Sequence, residues 1–83
     1  MHLTVLEERS ESFRLRFATD PGERWDTALA AWKRQVPKDL RRFEEDASVW
    51  VVPKSPDTES LLGEVFPDFA SQLGHIRNQL HLF

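Results

Sequence analysis

The sequence predicts a small α+β domain in which an antiparallel sheet of two hairpins carries two helices packed on one face, in the order β-β-α-β-β-α. Three observations predict it: strict apolar-arginine alternation at 13–17, apolar residues at helical spacing over 25–36, and a short apolar run at 49–52. Residues 1–83 are long enough for one domain, near the lower limit for a fold without disulfides or metals.

The first two strands are predicted at residues 3–8 and 13–17. Leu3 and Val5 share one face of the first strand, while the second places its apolar residues on one face and Arg14 and Arg16 on the other. The polar residues 9–11 between them form a turn, so these segments make a β-hairpin.

The first helix is predicted to begin around Asp20. This side chain can accept hydrogen bonds from first-turn amides, Pro21 suits the first helical position, and Glu23 completes a capping-box-like pair. Pro37 ends the helix because the residue before a proline avoids the α region. One helical stripe contains Trp25, Ala28, Leu29, Trp32 and Val36.

A second hairpin joins strands at 41–44 and 49–52 through a four-residue loop, which places Phe43 opposite Trp50. Ser55 and Pro56 then begin a second helix. The predicted core is Leu15, Phe17, Trp25, Leu29, Trp32, Phe43, Trp50, Leu62 and Phe66.

The last third of the chain allows two interpretations. A heptad seam predicts a helix broken at Pro67; the alternative ends the helix near Gly74 and makes the remaining residues a final strand. We favour the broken helix. The seam consists of Leu62, Phe66, Phe69, Leu73, Ile76, Leu80 and Phe83.

The composition argues against an enzyme. The chain has no cysteine, its three glycines are isolated, and His75 and His81 are not at a zinc-ligand spacing. We therefore expect no catalytic residues, no metal and no cofactor. No segment has the length or hydrophobicity of a signal peptide or membrane span, which predicts a cytoplasmic protein.

A basic segment is the most informative functional feature. Five basic residues against Asp39 give residues 33–42 a net charge of +4 in a chain of net charge −3. This segment predicts nucleic-acid binding through phosphate contacts, with Arg14 and Arg16 extending it. The alternative is that these charges only complement a helix dipole and protect a sheet edge. The basic segment contains Lys33, Arg34, Lys38, Arg41 and Arg42.

The C-terminal seam suggests another function, a homodimer or a contact with a protein partner. Its apolar residues could equally cover the chain's own sheet, since a small domain needs its large side chains for burial. The candidate partner-binding residues are Phe69, Leu73, Ile76, Leu80 and Phe83.

Residues 13–66 resemble the HARP (HepA-related protein) domain of annealing helicases. The similar features are Trp32-Lys33 late in a helix, Pro37-Lys38, then Arg42-Phe43 and the strand at 49–52 around Trp50, followed by an apolar helix. The resemblance implies binding to DNA with single-strand/double-strand junctions, or to RNA, without ATPase activity. It implies contacts from Lys33, Lys38 and Arg42, with Arg34 and Arg41 as neighbours. The turn at 44–47 is more acidic than in the family.

Overall fold

The computed structural model describes residues 1–80, and side chains for residues 1–78. The chain is a small α+β domain with four antiparallel strands in one sheet and three α-helices. The sequence predicted two helices, and the break at Pro67 divides the second into two separate helices. The strands are β1 (His2–Glu8), β2 (Ser12–Ala18), β3 (Arg42–Glu44) and β4 (Val49–Pro53). The helices are α1 (Trp25–Gln35), α2 (Pro56–Val65) and α3 (Phe69–Leu80), with a 3-10 turn at Lys38–Leu40.

The strands follow the order β1-β2-β4-β3, which makes β1 and β3 the two edges. Leu15 of β2 lies between Val5 of β1 and Trp50 of β4, and all three side chains are buried. Phe43 pairs with Trp50, as the loop length predicted. The hairpin registers therefore place alternate residues on one core-facing side.

Trp32 of α1 is fully buried at the centre of the core. Its ring centroid lies 5.6 Å from those of Phe17 and Trp50 and 5.9 Å from that of Phe66. Its indole N–H has no acceptor among the described residues, so Trp32 stabilises the fold by packing alone.

The α1 helix begins at Trp25, four residues after Pro21, the predicted first helical position. Residues 20–23 instead form a turn, in which the Glu23 N–H donates to the Asp20 carbonyl at 3.0 Å and the Asp20 N–H donates to Glu23 Oε1 at 2.8 Å. Gly22 has φ of +87°, a left-handed conformation that is incompatible with a helix.

The α2 helix begins as predicted, with Ser55 Oγ accepting from the Thr58 N–H at 3.1 Å and Pro56 in the first turn. The predicted break at Pro67 is confirmed, because α2 ends at Val65 and α3 begins at Phe69. The alternative of a final strand is wrong as far as Leu80, since the helix passes through Gly74.

An irregularity in β1 places a carboxylate beside the core. The register shifts between Val5 and Glu7, and Glu8 then pairs with the core residue Phe13. The Glu8 side chain is 7% exposed and binds Arg77 Nη2 at 2.6 Å and Lys54 Nζ at 2.9 Å. Hydrogen bonds from Arg77 and then Lys54 lower the pKa of Glu8 to about 2.

Candidate nucleic-acid interface

The basic segment follows one bend of the chain. Lys33 and Arg34 lie in the last turn of α1, Lys38 begins the 3-10 turn, Arg41 follows that turn, and Arg42 begins β3. Buried Val36 anchors the bend, since its N–H donates to the Trp32 carbonyl at 2.9 Å. The core thus fixes where the basic segment leaves the helix.

Three of the five predicted cations are available to a ligand. Lys33, Arg34 and Lys38 are exposed, and they form no ion pair within the part of the chain whose side chains the structure describes. Lys33 and Arg34 also complement the negative end of the α1 dipole. Both side chains remain exposed, and the dipole does not neutralise them as a carboxylate would.

The other two predicted cations have partners inside the chain. Arg41 is half-buried, and its Nε donates to the Val36 carbonyl at 2.9 Å, which ties the two ends of the bend together. Arg42 Nη2 lies 3.2 Å from Glu44 Oε1. Arg41 therefore has a structural contact that the sequence did not predict, and Arg42 is partly neutralised.

Glu44 also binds Arg14 on the sheet face opposite the core. Its Oε2 lies 3.0 Å from Arg14 Nη1, and Glu7 Oε2 lies 3.7 Å from Arg14 Nε on the other side. The Arg14 side chain is only 17% exposed. Arg14 is thus engaged by two acids, whereas Arg16 is exposed.

Two aromatic residues predicted to be core lie on the surface. Trp25 is 52% exposed and Phe43 is 45% exposed. Both line a groove of about 290 Å³ between α1 and the β3–β4 edge, together with Leu29, Lys33 and Trp50. The cation Lys33 and two exposed rings are therefore neighbours, a juxtaposition that the sequence analysis did not predict.

The positions of Trp25 and Phe43 explain the error. The buried line along α1 is Ala28, Trp32 and Val36, so Trp25 stands at the helix start on the neighbouring line. Phe43 lies on the three-residue strand β3, which forms the edge of the sheet among the described residues. Apolar spacing identified the helix and the strand but did not show where the core ends.

Arg41 and Arg42 line a second cleft and do not line the groove that contains Lys33. The cleft measures about 320 Å³, and Asp39 and Glu11 also line it. Of the basic segment, Arg41 and Arg42 thus lie at a cleft with two carboxylates, Lys33 lies at a groove of apolar side chains, and Arg34 and Lys38 line neither.

The candidate partner-binding surface is corrected at two of its five residues. Phe69 is 2% exposed and packs edge-on against Phe13 with centroids 5.6 Å apart, and Leu73 is 3% exposed. Ile76 is half-buried against the same core. Phe69 and Leu73 cover the chain's own sheet and offer no surface to a partner. The side chain of Leu80 and all of Phe83 lie outside the described residues.

The described residues offer neither a metal site nor a membrane-spanning helix. No group of three or more histidine, cysteine or acidic side chains there could hold a metal ion. None of the helices there is long and apolar enough to cross a membrane.

The chain matches no family model, no curated protein and no solved structure at a significant level. The class of protein must therefore be argued from the fold and from the surface around the basic segment.

Proposed function

We propose that the protein is a non-catalytic nucleic-acid-binding module that contacts phosphates through its basic segment. One observation carries the proposal: Lys33, Arg34 and Lys38 are exposed without an acid partner among the described side chains, although the chain is acidic overall. Arg9, Arg14 and Arg42, by contrast, each pair with an acid. Unpaired, closely spaced cations suit an anionic polymer.

The resemblance to the HARP domain supports the same proposal. Its matching positions Lys33 and Lys38 are two of the three basic-segment residues that are exposed without an ion pair among the described side chains, and the third matching position, Arg42, is exposed beside Glu44. The resemblance adds single-strand/double-strand junctions and RNA to the ligands worth testing. We propose no ATPase or other catalytic activity, and a cytoplasmic location.

The experiment measures fluorescence anisotropy of labelled forked DNA, single-stranded DNA, duplex DNA and RNA over a range of salt concentrations. Each phosphate contact should contribute about 0.7–0.9 to the slope of log affinity against log salt. We expect Lys38→Glu and Arg34→Glu each to weaken binding and reduce that slope. Arg9→Glu is the matched control, because it makes the same charge change in the β1–β2 turn.

An equal loss of affinity in the Arg9→Glu control would mean that net charge alone attracts the polymer. No binding of any probe at low salt would rule out the function. Stoichiometric zinc in the purified protein would contradict the expectation that the module uses no metal.

A further inference from the structure

The groove beside Lys33 carries two aromatic rings that the fold holds on the surface. Trp25 and Phe43 line it from α1 and β3, at 52% and 45% exposure. Leu29 and Trp50 complete its apolar lining. A domain of this size gains stability from each large ring it buries, so two half-exposed rings at one groove suggest a ligand.

Buried rings support both exposed rings from behind. The Trp25 centroid lies 5.5 Å from that of Phe17, and the Phe43 centroid lies 5.0 Å from that of Trp50. Phe17 and Trp50 in turn each contact the central Trp32 at 5.6 Å. The two exposed rings therefore extend the core, and a ligand would not have to order mobile side chains.

Charge distinguishes between possible occupants of this groove. Trp25, Leu29 and Lys33 follow one another at four-residue spacing along α1, so the cation lies on the same line as the ring. No carboxylate lines the groove among the described residues. The unpaired cations Arg34 and Lys38 lie one and five residues further along the chain, outside the groove lining. The matching ligand has flat apolar faces and a negative charge beside them.

We propose that this groove stacks the bases of a single-stranded nucleic acid on Trp25 and Phe43, while Lys33 contacts the adjoining phosphate. The proposal deepens the proposed function and rests on it. In a duplex the base faces stack on one another and are not accessible to Trp25 and Phe43. A duplex would therefore contact only the cations. The groove therefore assigns the protein a preference for unpaired strands.

The test compares a short oligothymidylate, an abasic strand of equal length, and a duplex. Trp25→Ala and Phe43→Ala should each weaken oligothymidylate binding about five- to a hundredfold and leave abasic-strand binding unchanged. Leu6→Ala is the matched control, because Leu6 is an exposed apolar residue at 40% outside the groove lining. Trp25→Phe and Phe43→Trp retain a ring and should bind almost as the parent does.

Tryptophan emission gives an independent readout. Trp25 is the exposed indole, while Trp32 and Trp50 are 0% and 8% exposed. Oligothymidylate should quench the parent's emission, and the quenching should largely disappear in Trp25→Phe. Circular dichroism should show that every variant compared is folded.

Several results would overturn the stacking proposal. Equal affinity for the abasic strand and oligothymidylate would do so, as would parental oligothymidylate affinity in Trp25→Ala and Phe43→Ala. If those variants instead lost self-association and kept oligothymidylate binding, the groove would be a contact between copies of this chain. In each case Lys38→Glu would still lower the salt-dependent affinity for nucleic acid. Phosphate binding would then be supported and base stacking ruled out. Absence of binding to every probe would rule out both base stacking and phosphate binding.

Discussion

The side chain of Gln72 in α3 occupies the open edge of β1 by bonding to Val5 in the manner of a neighbouring strand. Its Oε1 accepts from the Val5 N–H at 2.7 Å, and its Nε2 donates to the Leu3 carbonyl at 2.8 Å. The one amide thus satisfies two backbone groups that β2 cannot reach. It also covers an edge where another chain could add a strand.

Replacing Gln72 by alanine should lower the free energy of unfolding by about 1–3 kcal/mol, since two part-buried backbone groups lose their partners. Gln72→Glu should also destabilise, because a carboxylate cannot donate to the Leu3 carbonyl. Urea unfolding measures both, and Gln35→Ala, at an exposed helix position, is the control. Equal stability of Gln72→Ala and Gln35→Ala would contradict a role for the edge contact.

The ion pair of Glu8 with Arg77 predicts acid sensitivity. The folded pKa of Glu8 is about 2 and its ordinary value is 4.5. This depressed pKa gives stabilisation that is complete above about pH 4.5 and is lost as pH falls toward 2. Glu8→Gln should lower the unfolding free energy by about 1–2 kcal/mol at neutral pH and make its decline over this acidic range shallower.

Urea titrations at several pH values measure this effect, with Glu11→Gln as a charge-matched control in an exposed turn. Identical acid profiles for Glu8→Gln and the parent would show that Glu8 contributes nothing to the pH dependence.

Local patterns predicted the strands but could not show how distant segments meet. Phe13 and Leu15 alternate with arginine and are fully buried, and Pro67 marks the helix break. Gln72 and Arg77, however, contact β1 residues that lie 67 or 69 positions earlier in the sequence. No spacing rule relates residues so far apart. The bulge that turns Glu8 toward Arg77 likewise depends on the register between two strands.

The same limit explains why the sequence predicts only part of the candidate site. Five basic residues were visible in the sequence, but the contact of Arg41 with the Val36 carbonyl and that of Arg42 with Glu44 depend on the folded bend. Trp25 shares the apolar spacing of α1, which predicts burial. The turn at Gly22 places Trp25 at the first position of the helix, where its side chain is 52% exposed.

The burial of Phe69 predicts a structural role. Phe69→Ala should lower the unfolding free energy by about 3–5 kcal/mol, the usual cost of deleting a buried aromatic ring. Phe43→Ala, at an exposed ring, should cost about 1 kcal/mol or less. Thermal or urea unfolding compares the two. A Phe69→Ala protein that stayed as stable as the parent but changed its sedimentation would instead place Phe69 at an interface.

Removing the acid that restrains the arginines should strengthen nucleic-acid binding. Glu44 bonds Arg42 at 3.2 Å and Arg14 at 3.0 Å, so Glu44→Gln releases charge on both. We expect anisotropy to show severalfold tighter binding at low salt and a salt slope steeper by up to about one, because a released arginine can contact a phosphate. Glu64→Gln makes the same charge change at an exposed position of α2 and is the control. An equal gain in both variants would show that net charge alone is responsible. A gain confined to Glu44→Gln would place Arg42 or Arg14 beside the bound strand, because only their contacts distinguish the two variants.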